Sequence, residues 1–198
     1  MARKYELRRR AERQEETRRR IVEATVALHQ TLGVVHTTIS DIAARAGVER
    51  ATVYRHFPDQ RSLLAACTGH FVALNPRPDP APWDEIADPE ARLRTGLAEV
   101  FAYHRRTEQM TDRAARDLAD APVLRDVLAP EFAYWVCVRD VLAAGWPVSA
   151  ERSALVAAGA GHAVAFSTWR SLVREQGLDE AQAIAAMAAM VRFLAANG

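Results

Sequence analysis

Residues 37–64 read TTISDIAARAGVERATVYRHFPDQRSLL, and their spacing predicts two short helices joined by a tight turn. Ile39, Ile42, Ala43 and Ala46 recur at three- and four-residue steps, the buried stripe of a helix that begins near Thr38. Thr38 has the hydroxyl of an N-cap, and Asp41 sits where a carboxylate meets the positive end of the helix dipole. Gly47 ends that helix, because glycine takes the left-handed C′ conformation without a Cβ clash. Val48 plugs the angle, and Glu49 stands at the cap position of a second helix, Arg50 to His56. This helix buries Val53, with Ala51 a candidate beside it, and turns Arg50, Thr52, Tyr54, Arg55 and His56 outward. Arginine pairs bidentately with a guanine edge, threonine touches a thymine methyl or a phosphate, and tyrosine donates to phosphate oxygens. Small Ala43 at the crossing, then Gly47, Val48 and Val53, has the offsets of a helix-turn-helix.

The run from Ile21 through GVVHTTISDIAARAGVERATVYRHFPDQRSLL resembles the N-terminal domain of the tetracycline-repressor (TetR) family of bacterial transcription regulators. The likeness covers roughly the first third of the chain. It implies phosphate contacts for Thr38 and Tyr54, places Arg50 and Thr52 at the head of the recognition helix, and puts Phe57 and Pro58 at its end. The sequence departs from the family pattern at Glu49, where Ser or Thr is common, at His56, where an aromatic is common, and at Gln60, where a lysine often approaches the DNA backbone. Arg61 is the nearby cation that can replace that lysine. The DNA-binding set expected is therefore Thr38, Arg50, Thr52, Tyr54, Arg55, His56 and Arg61.

Outward from this stretch, charge is unevenly spread over the 198 residues. Residues 1–65 hold 13 Lys and Arg against 8 Asp and Glu, and the remainder 13 against 17, so a net charge of +1 conceals a basic head and an acidic body. Such asymmetry suits a protein of which one end approaches a polyanion. Residues 1–20 carry 9 Lys and Arg and 4 Glu with almost no large apolar residue, which leaves a solvated helix extension or a disordered arm. Arg8, Arg9, Arg10 and Arg13 either follow the DNA backbone or serve as a solubilising tail. From Thr17, read as a cap, Ile21, Ala24, Leu28 and Leu32 form the apolar face of a helix stopped at Gly33, completing a three-helix domain.

A fourth helix is expected after Asp59, with Leu63, Leu64, Cys67, Phe71 and Leu74 buried. The proline-rich NPRPDPAP that follows reads as a stiff extended link. The rest is helical on pattern: a helix opening at Asp88 to Glu90, a short polar one over Asp112 to Asp120, one opened by Pro122 and interrupted at Pro130, and two long ones over Ser149 to Gln176 and Asp179 to Ala196. The expected fold is all-α, with a helix-turn-helix DNA-binding domain over 1–65, its basic arm at 1–16, and a helical effector-binding and dimerisation domain over 66–198.

The last two helices are apolar over more surface than one neighbour needs. Leu155, Gly159, His162, Phe166, Trp169 and Val173 make a seam, and Ile184, Met187, Val191 and Leu194 are widened by Met190 and Phe193. A homodimer through these helices is expected, facing a palindromic double-stranded operator. Phe101, His104, Met110, Phe132, Trp135, Cys137, His162, Phe166 and Trp169 fall on inward faces and are the candidate lining of an effector site. By resemblance, a small-molecule effector of unknown identity releases a repressor from its operator; a regulator without an inducer and a helical-bundle enzyme are the alternatives.

No phosphate loop, HExxH, nucleophile elbow or paired metal-ligand spacing occurs, so no catalytic residue, metal or cofactor is expected. Cys67 and Cys137 lack neighbouring ligands and are expected to be reduced and buried. Neither a membrane-spanning apolar run nor a signal peptide is found, and the expected location is cytoplasmic.

Overall fold

A computed structural model describes residues 2–196, with side chains from Tyr5 onward. Met1, Asn197 and Gly198, which the expected arm and body include, lie outside the described residues. Within them the chain is all-α, and no helix is long and apolar enough to cross a membrane. It divides into two compact units, Met1–Asn75 with Gln109–Leu128, and Pro76–Glu108 with Ala129–Gly198.

In the first unit, α1 (Ala2–Thr31) is a single helix of 30 residues. Thr17 is therefore no cap: its hydroxyl donates to Arg13 O at 2.9 Å in mid-helix. The helix runs past Thr17 because the preceding residues are mostly strong helix formers without Gly or Pro, tied by ion pairs one turn apart such as Arg8 to Glu12 at 2.8 Å. Of the two forms open to the arm, the solvated helical extension is observed, with residues 5–16 exposed.

Helices α2 (Ile39–Ala46) and α3 (Arg50–His56) follow the expected bounds. Thr38 accepts the Asp41 N–H at 3.2 Å, while Asp41 accepts the Thr38 N–H at 3.0 Å, a reciprocal capping box. Gly47 has φ +64, and the turn closes through the N–H groups of Gly47 and Val48 on the carbonyls of Ala44 and Ala43 at 3.2 and 3.0 Å. Ile21, Val22, Ala24, Ile42, Ala43, Val53 and Phe57 share one buried cluster. Ala51 is exposed, since Val53 and Phe57 already anchor the short helix, and Leu32 is exposed beyond the last turn of α1.

Helix α4 (Gln60–Leu74) is capped by Asp59, which accepts the Ser62 N–H at 2.7 Å. Leu63, Leu64, Cys67 and Phe71 are buried, but Leu74 at the end of the helix is exposed. The extended link stops short of Pro80, which is already helical in backbone angle: Pro82 sits in a one-turn helix, α5 (Ala81–Asp84), where its missing N–H is one that a helix start leaves unbonded in any case. This turn plants Trp83 in the core, its indole N–H donating to Glu99 at 3.0 Å.

Helix α6 (Pro89–Asp117) contributes residues to both units. The separate polar helix expected over Asp112 to Asp120 is instead its end, since nothing between Met110 and Asp112 breaks the helix. Helices α7 (Pro122–Val127) and α8 (Ala129–Ala143) are split at Leu128, just before Pro130. The expected continuous helix to Gln176 is interrupted: α9 (Ala150–Val164), capped by Ser149, stops at extended Ala165, and α10 (Phe166–Arg170) runs on into a π-helical turn, Ser171–Glu175. Helix α11 (Glu180–Ala196) closes the chain.

The second unit packs α9 against both α8 and α11. Its core gathers Trp83, Leu93, Leu97, Phe101, Leu142, Val156 and Trp169. Buried Arg92 donates to the carbonyls of Ile86 and Ala144 at 2.7 and 2.9 Å, a cation set against the C-terminal end of α8 where the helix dipole is negative.

Candidate nucleic-acid interface and ligand site

The first candidate site is the outer face of α3. Val53 is fully buried and Phe57 nearly so, which fixes the helix by one face and leaves Arg50, Tyr54 and Arg55 exposed, with Thr52 and His56 half-buried. Arg55 donates to the Thr52 hydroxyl at 3.1 Å, so these two side chains are pre-positioned on one another. Thr38 stands exposed at the head of α2, its hydroxyl donating to Asp41 at 2.7 Å; Asp41 is held below the usual carboxylate range first by that side-chain bond and then by the Thr38 backbone N–H.

His56 titrates below the ordinary histidine range because partial burial, then Arg55 and Arg18, disfavour its cation. It is thus a neutral side chain near pH 7, suited to hydrogen bonding more than to phosphate charge. Arg61 is not free: it pairs with Asp126 at 3.0 Å, both side chains 62% exposed. Exposed pairs of this kind contribute less than about 1 kcal/mol, so a phosphate can exchange for the carboxylate at little cost. Arg18, which sequence periodicity assigns only to a polar face, lies over the Phe57 ring at 4.9 Å. Its placement beside the end of α3 follows from the crossing of α1 over the motif, which no local pattern encodes.

A shallow cleft lined by Arg20, Glu23, Ala24, Ala27, Arg45 and Ala46 lies between α1 and α2. It is open to solvent and holds both charge signs.

The second candidate site surrounds His104 in the second unit. His104, Trp135, Phe166 and Trp169 come together, with ring centroids of the last three 5.4, 5.6 and 6.1 Å from the imidazole. Tyr103 joins them at 5.8 Å from Trp135, and Tyr134 stacks edge-on to Trp135 at 4.9 Å. Neither tyrosine stands out in the sequence, since each immediately precedes a residue on the expected inward stripe. Phe101 lies fully buried in the same core. Met110 packs instead on Val26, Cys67 and Phe71 in the first unit, while Phe132, Cys137 and His162 point to the surface, so these four do not line the cluster. The expectation of two buried thiols thus holds for Cys67 alone. The reason is rotational: α8 buries Val138 and Leu142, which turns Phe132, Val136 and Cys137 outward.

The break at Ala165 explains the position of His104. Where α9 stops, the Val164 carbonyl loses its helical donor and accepts from His104 Nε2 at 2.9 Å. A carbonyl only accepts, so Nε2 carries the proton and Nδ1 is the lone-pair nitrogen. Nδ1 is buried without a hydrogen-bond partner. Burial lowers the His104 pKa to about 4, partly offset by the Val164 bond, so the ring is neutral near pH 7. Around the cluster Arg77 pairs with Glu131 at 3.2 Å, Arg174 with Glu108 at 2.7 Å, and Arg105 with Glu180. Among the described residues, no group of His, Cys, Asp and Glu side chains could hold a metal ion.

Residues 21–67 match the family of bacterial regulatory proteins of tetR type. Over 56 residues the chain is 45% identical to an HTH-type transcriptional regulator of Mycobacterium bovis, covering 28% of this chain and 30% of that one. It is 31% identical over 119 residues to SrpR of Pseudomonas putida, covering 50% and 56%, and 30% identical over 118 residues to TtgW of Pseudomonas putida, covering 50% and 88%. The chain thus spans between about a third and about half of the length of the first two of these relatives. Two solved structures share the fold: a TetR-family regulator from Mesorhizobium loti, 18% identical over 92% of this chain and 96% of that one with TM-score 0.62, and a regulator from Saccharomonospora viridis solved with choline, 19% identical over 90% and 96% with TM-score 0.59.

Proposed function

Because this chain belongs to the tetR family of bacterial regulatory proteins, we propose that it is a sequence-specific DNA-binding transcription regulator, a repressor that leaves a palindromic operator when an effector occupies the body. In this proposal residues 1–65 bind DNA and 66–198 bind the effector and dimerise. The observation that carries the proposal is α3: anchored by Val53 and Phe57, it offers exposed Arg50, Tyr54 and Arg55 and half-buried Thr52 to DNA. Thr38 and Arg61 flank it as phosphate contacts, and neutral His56 as a hydrogen-bonding DNA contact. The helical arm carries Arg8, Arg9, Arg10 and Arg13 exposed, and deleting residues 2–16 should lower the salt slope of DNA binding if those arginines reach phosphates.

Selecting bound sites from random duplexes should return a palindrome with half-sites about 34 Å apart. Arg50→Ala should lose roughly 1–3 kcal/mol on the selected site and less on random DNA, whereas Tyr54→Phe should weaken both alike. Equal losses from the two substitutions on both duplexes would show the base and phosphate assignments to be wrong.

The dimer surface proposed is that of α9 and α11, where Leu155 and Phe193 are 49% and 66% exposed. Part of the expected seam is consumed internally: Gly159 is buried beneath Leu194 and Val191, and Trp169 is fully buried. Leu155, Ala158 and His162 remain on the outer face of α9. Leu155→Glu with Phe193→Glu should convert a dimer to a monomer in light scattering and weaken operator binding at least tenfold, since a single head loses its partner's half-site. A wild-type protein that is monomeric at micromolar concentration would overturn the dimer.

The effector site proposed is the His104 cluster, the place in the body where a buried polar atom and several aromatic faces converge. An effector acts only through its preference for the non-binding conformation, typically about 1–3 kcal/mol of coupling. No catalytic role is proposed, and location in the cytoplasm follows from operator binding.

A further inference from the structure

From the chemistry around His104, we infer that the effector is an uncharged aromatic hydroxyl compound, a phenol, whose O–H donates to His104 Nδ1 while its ring stacks among Trp135, Phe166 and Trp169. This inference rests on the reading of the cluster as the effector site. Three features define the ligand. His104 Nε2–H is committed to the Val164 carbonyl at 2.9 Å, leaving Nδ1 as a buried acceptor that no protein group satisfies. A buried acceptor without a donor costs roughly 1–3 kcal/mol, so a ligand that brings a donor gains that energy and one that lacks it does not.

The surroundings are aromatic, with Phe166 and Trp169 at 5.6 Å and His104 and Trp135 at 5.4 Å between ring centroids, so these rings pack on one another and a further flat ring gains offset or edge contacts against them. Trp135 and Phe166 are half-buried while His104 and Trp169 are inside, so the outer side of the cluster is formed by Trp135 and Phe166.

The charge balance disfavours a cation, and an anion offers Nδ1 only further lone pairs. The guanidinium of Arg174 lies over Trp169 at 5.0 Å and that of Arg106 over Tyr103 at 5.7 Å, so these π-faces are already engaged by cations. The nearby carboxylates of Glu108, Glu131 and Glu180 are each paired with an arginine, leaving none of them as countercharge for a cationic ligand. A phenol, with a hydroxyl that ionises only near pH 10, is neutral at pH 7 and supplies one donor on an apolar ring.

The test is titration of the full-length wild-type protein with phenol, anisole and choline, read by tryptophan fluorescence, since Trp135 and Trp169 line the site. Phenol should quench saturably, anisole, which keeps the ring and loses the donor, should bind at least tenfold more weakly, and choline should give no saturable change. Anisole equal to phenol, or choline stronger than either, overturns the phenol class and leaves the site standing. A saturable response to none of the three overturns the site as well. Phe166→Ala should weaken phenol and anisole alike, and unchanged binding of both would overturn the location. In His104→Phe, verified folded by circular dichroism, the preference for phenol over anisole should vanish; its persistence overturns the role of Nδ1. If His104→Phe does not fold, the wild-type series decides.

Discussion

Acidification from about pH 7 to about pH 4.5 is expected to remove roughly 5 kcal/mol of folding stability, about half from each of two buried histidines. His29 and His104 are 5% and 2% exposed and both have a pKa lowered to about 4 by burial. In the unfolded chain each titrates near the ordinary value of about 6.5. A base whose folded pKa is depressed binds its proton more readily when unfolded, so its full contribution is present above pH 6.5 and is lost progressively as the pH falls from there to about 4. His29 cannot escape by charging in place. Its Nδ1 lies 3.5 Å from the Sγ of Cys67, whose thiol burial pushes up to about 12, and Asp117 offsets only part of the desolvation. The loss is comparable with the whole stability of a domain, commonly 5–15 kcal/mol. The two histidines lie in different units, so both should soften over the same pH range. Thermal melts followed by circular dichroism should fall steeply below pH 6.5, and His29→Leu should flatten the curve by about half; a melting temperature constant from pH 7 to pH 5 would refute the assignment.

The second large effect is at Gly33. With φ +92 its backbone is in the left-handed half of conformational space, and a Cβ there would overlap Arg116 Nη2 and Asp117 Oδ2. Those groups cannot simply move aside. Asp117 is 2% exposed, accepts the Val35 N–H at 3.1 Å and the Arg116 Nε–H at 2.8 Å, and Arg116 also donates to the Leu32 carbonyl at 2.8 Å. Gly33→Ala combines backbone strain of about 1–2 kcal/mol with disruption of a buried carboxylate's bonds at about 1–3 kcal/mol, so a loss of roughly 3 kcal/mol is expected. Gly177→Ala is the control: φ is +74 but nothing lies within 4 Å of the new methyl, so it should lose only about 1 kcal/mol. Denaturant titrations of the two variants measure the difference, and equal losses would mean that the Asp117 bonds contribute nothing.

The helix-turn-helix is legible in the sequence because its determinants are local. Thr38 and Asp41 cap one another within a single turn, Gly47 must take positive φ wherever its surroundings lie, and the spacing of Ile42, Ala43, Ala46 and Val53 defines a face on its own. Arg50, Tyr54 and Arg55 are assigned outward for the same reason. Sequence and structure part where a local signal meets a competing one. Thr17 carries a capping hydroxyl, but the charged residues before it form helix equally well, and the ion pairs of Arg8 and Arg19 favour continuation. The long helix expected through Ala165 rests on apolar spacing that persists across the break, because a chain can keep its pattern while losing one hydrogen bond to a side chain as distant as His104.

The ligand cluster is legible only in part. His104, Trp135, Phe166 and Trp169 are identifiable as apolar or aromatic residues on inward stripes, yet Phe132, Cys137 and His162 satisfy the same criterion and face outward.

What the sequence alone determined is where α2, α3, α4 and α11 start and stop and which face of the short helices is apolar, since caps, glycine turns and helical periodicity act over a few bonds. Only the tertiary structure decided which apolar residues are used internally, which tyrosines join His104, and why Arg92 and Asp117 are buried. Those outcomes depend on contacts between residues as far apart as Val35 and Asp117, or Arg92 and Ala144. Such a contact requires the entire fold to bring its partners together, and neither partner's neighbours carry its signature.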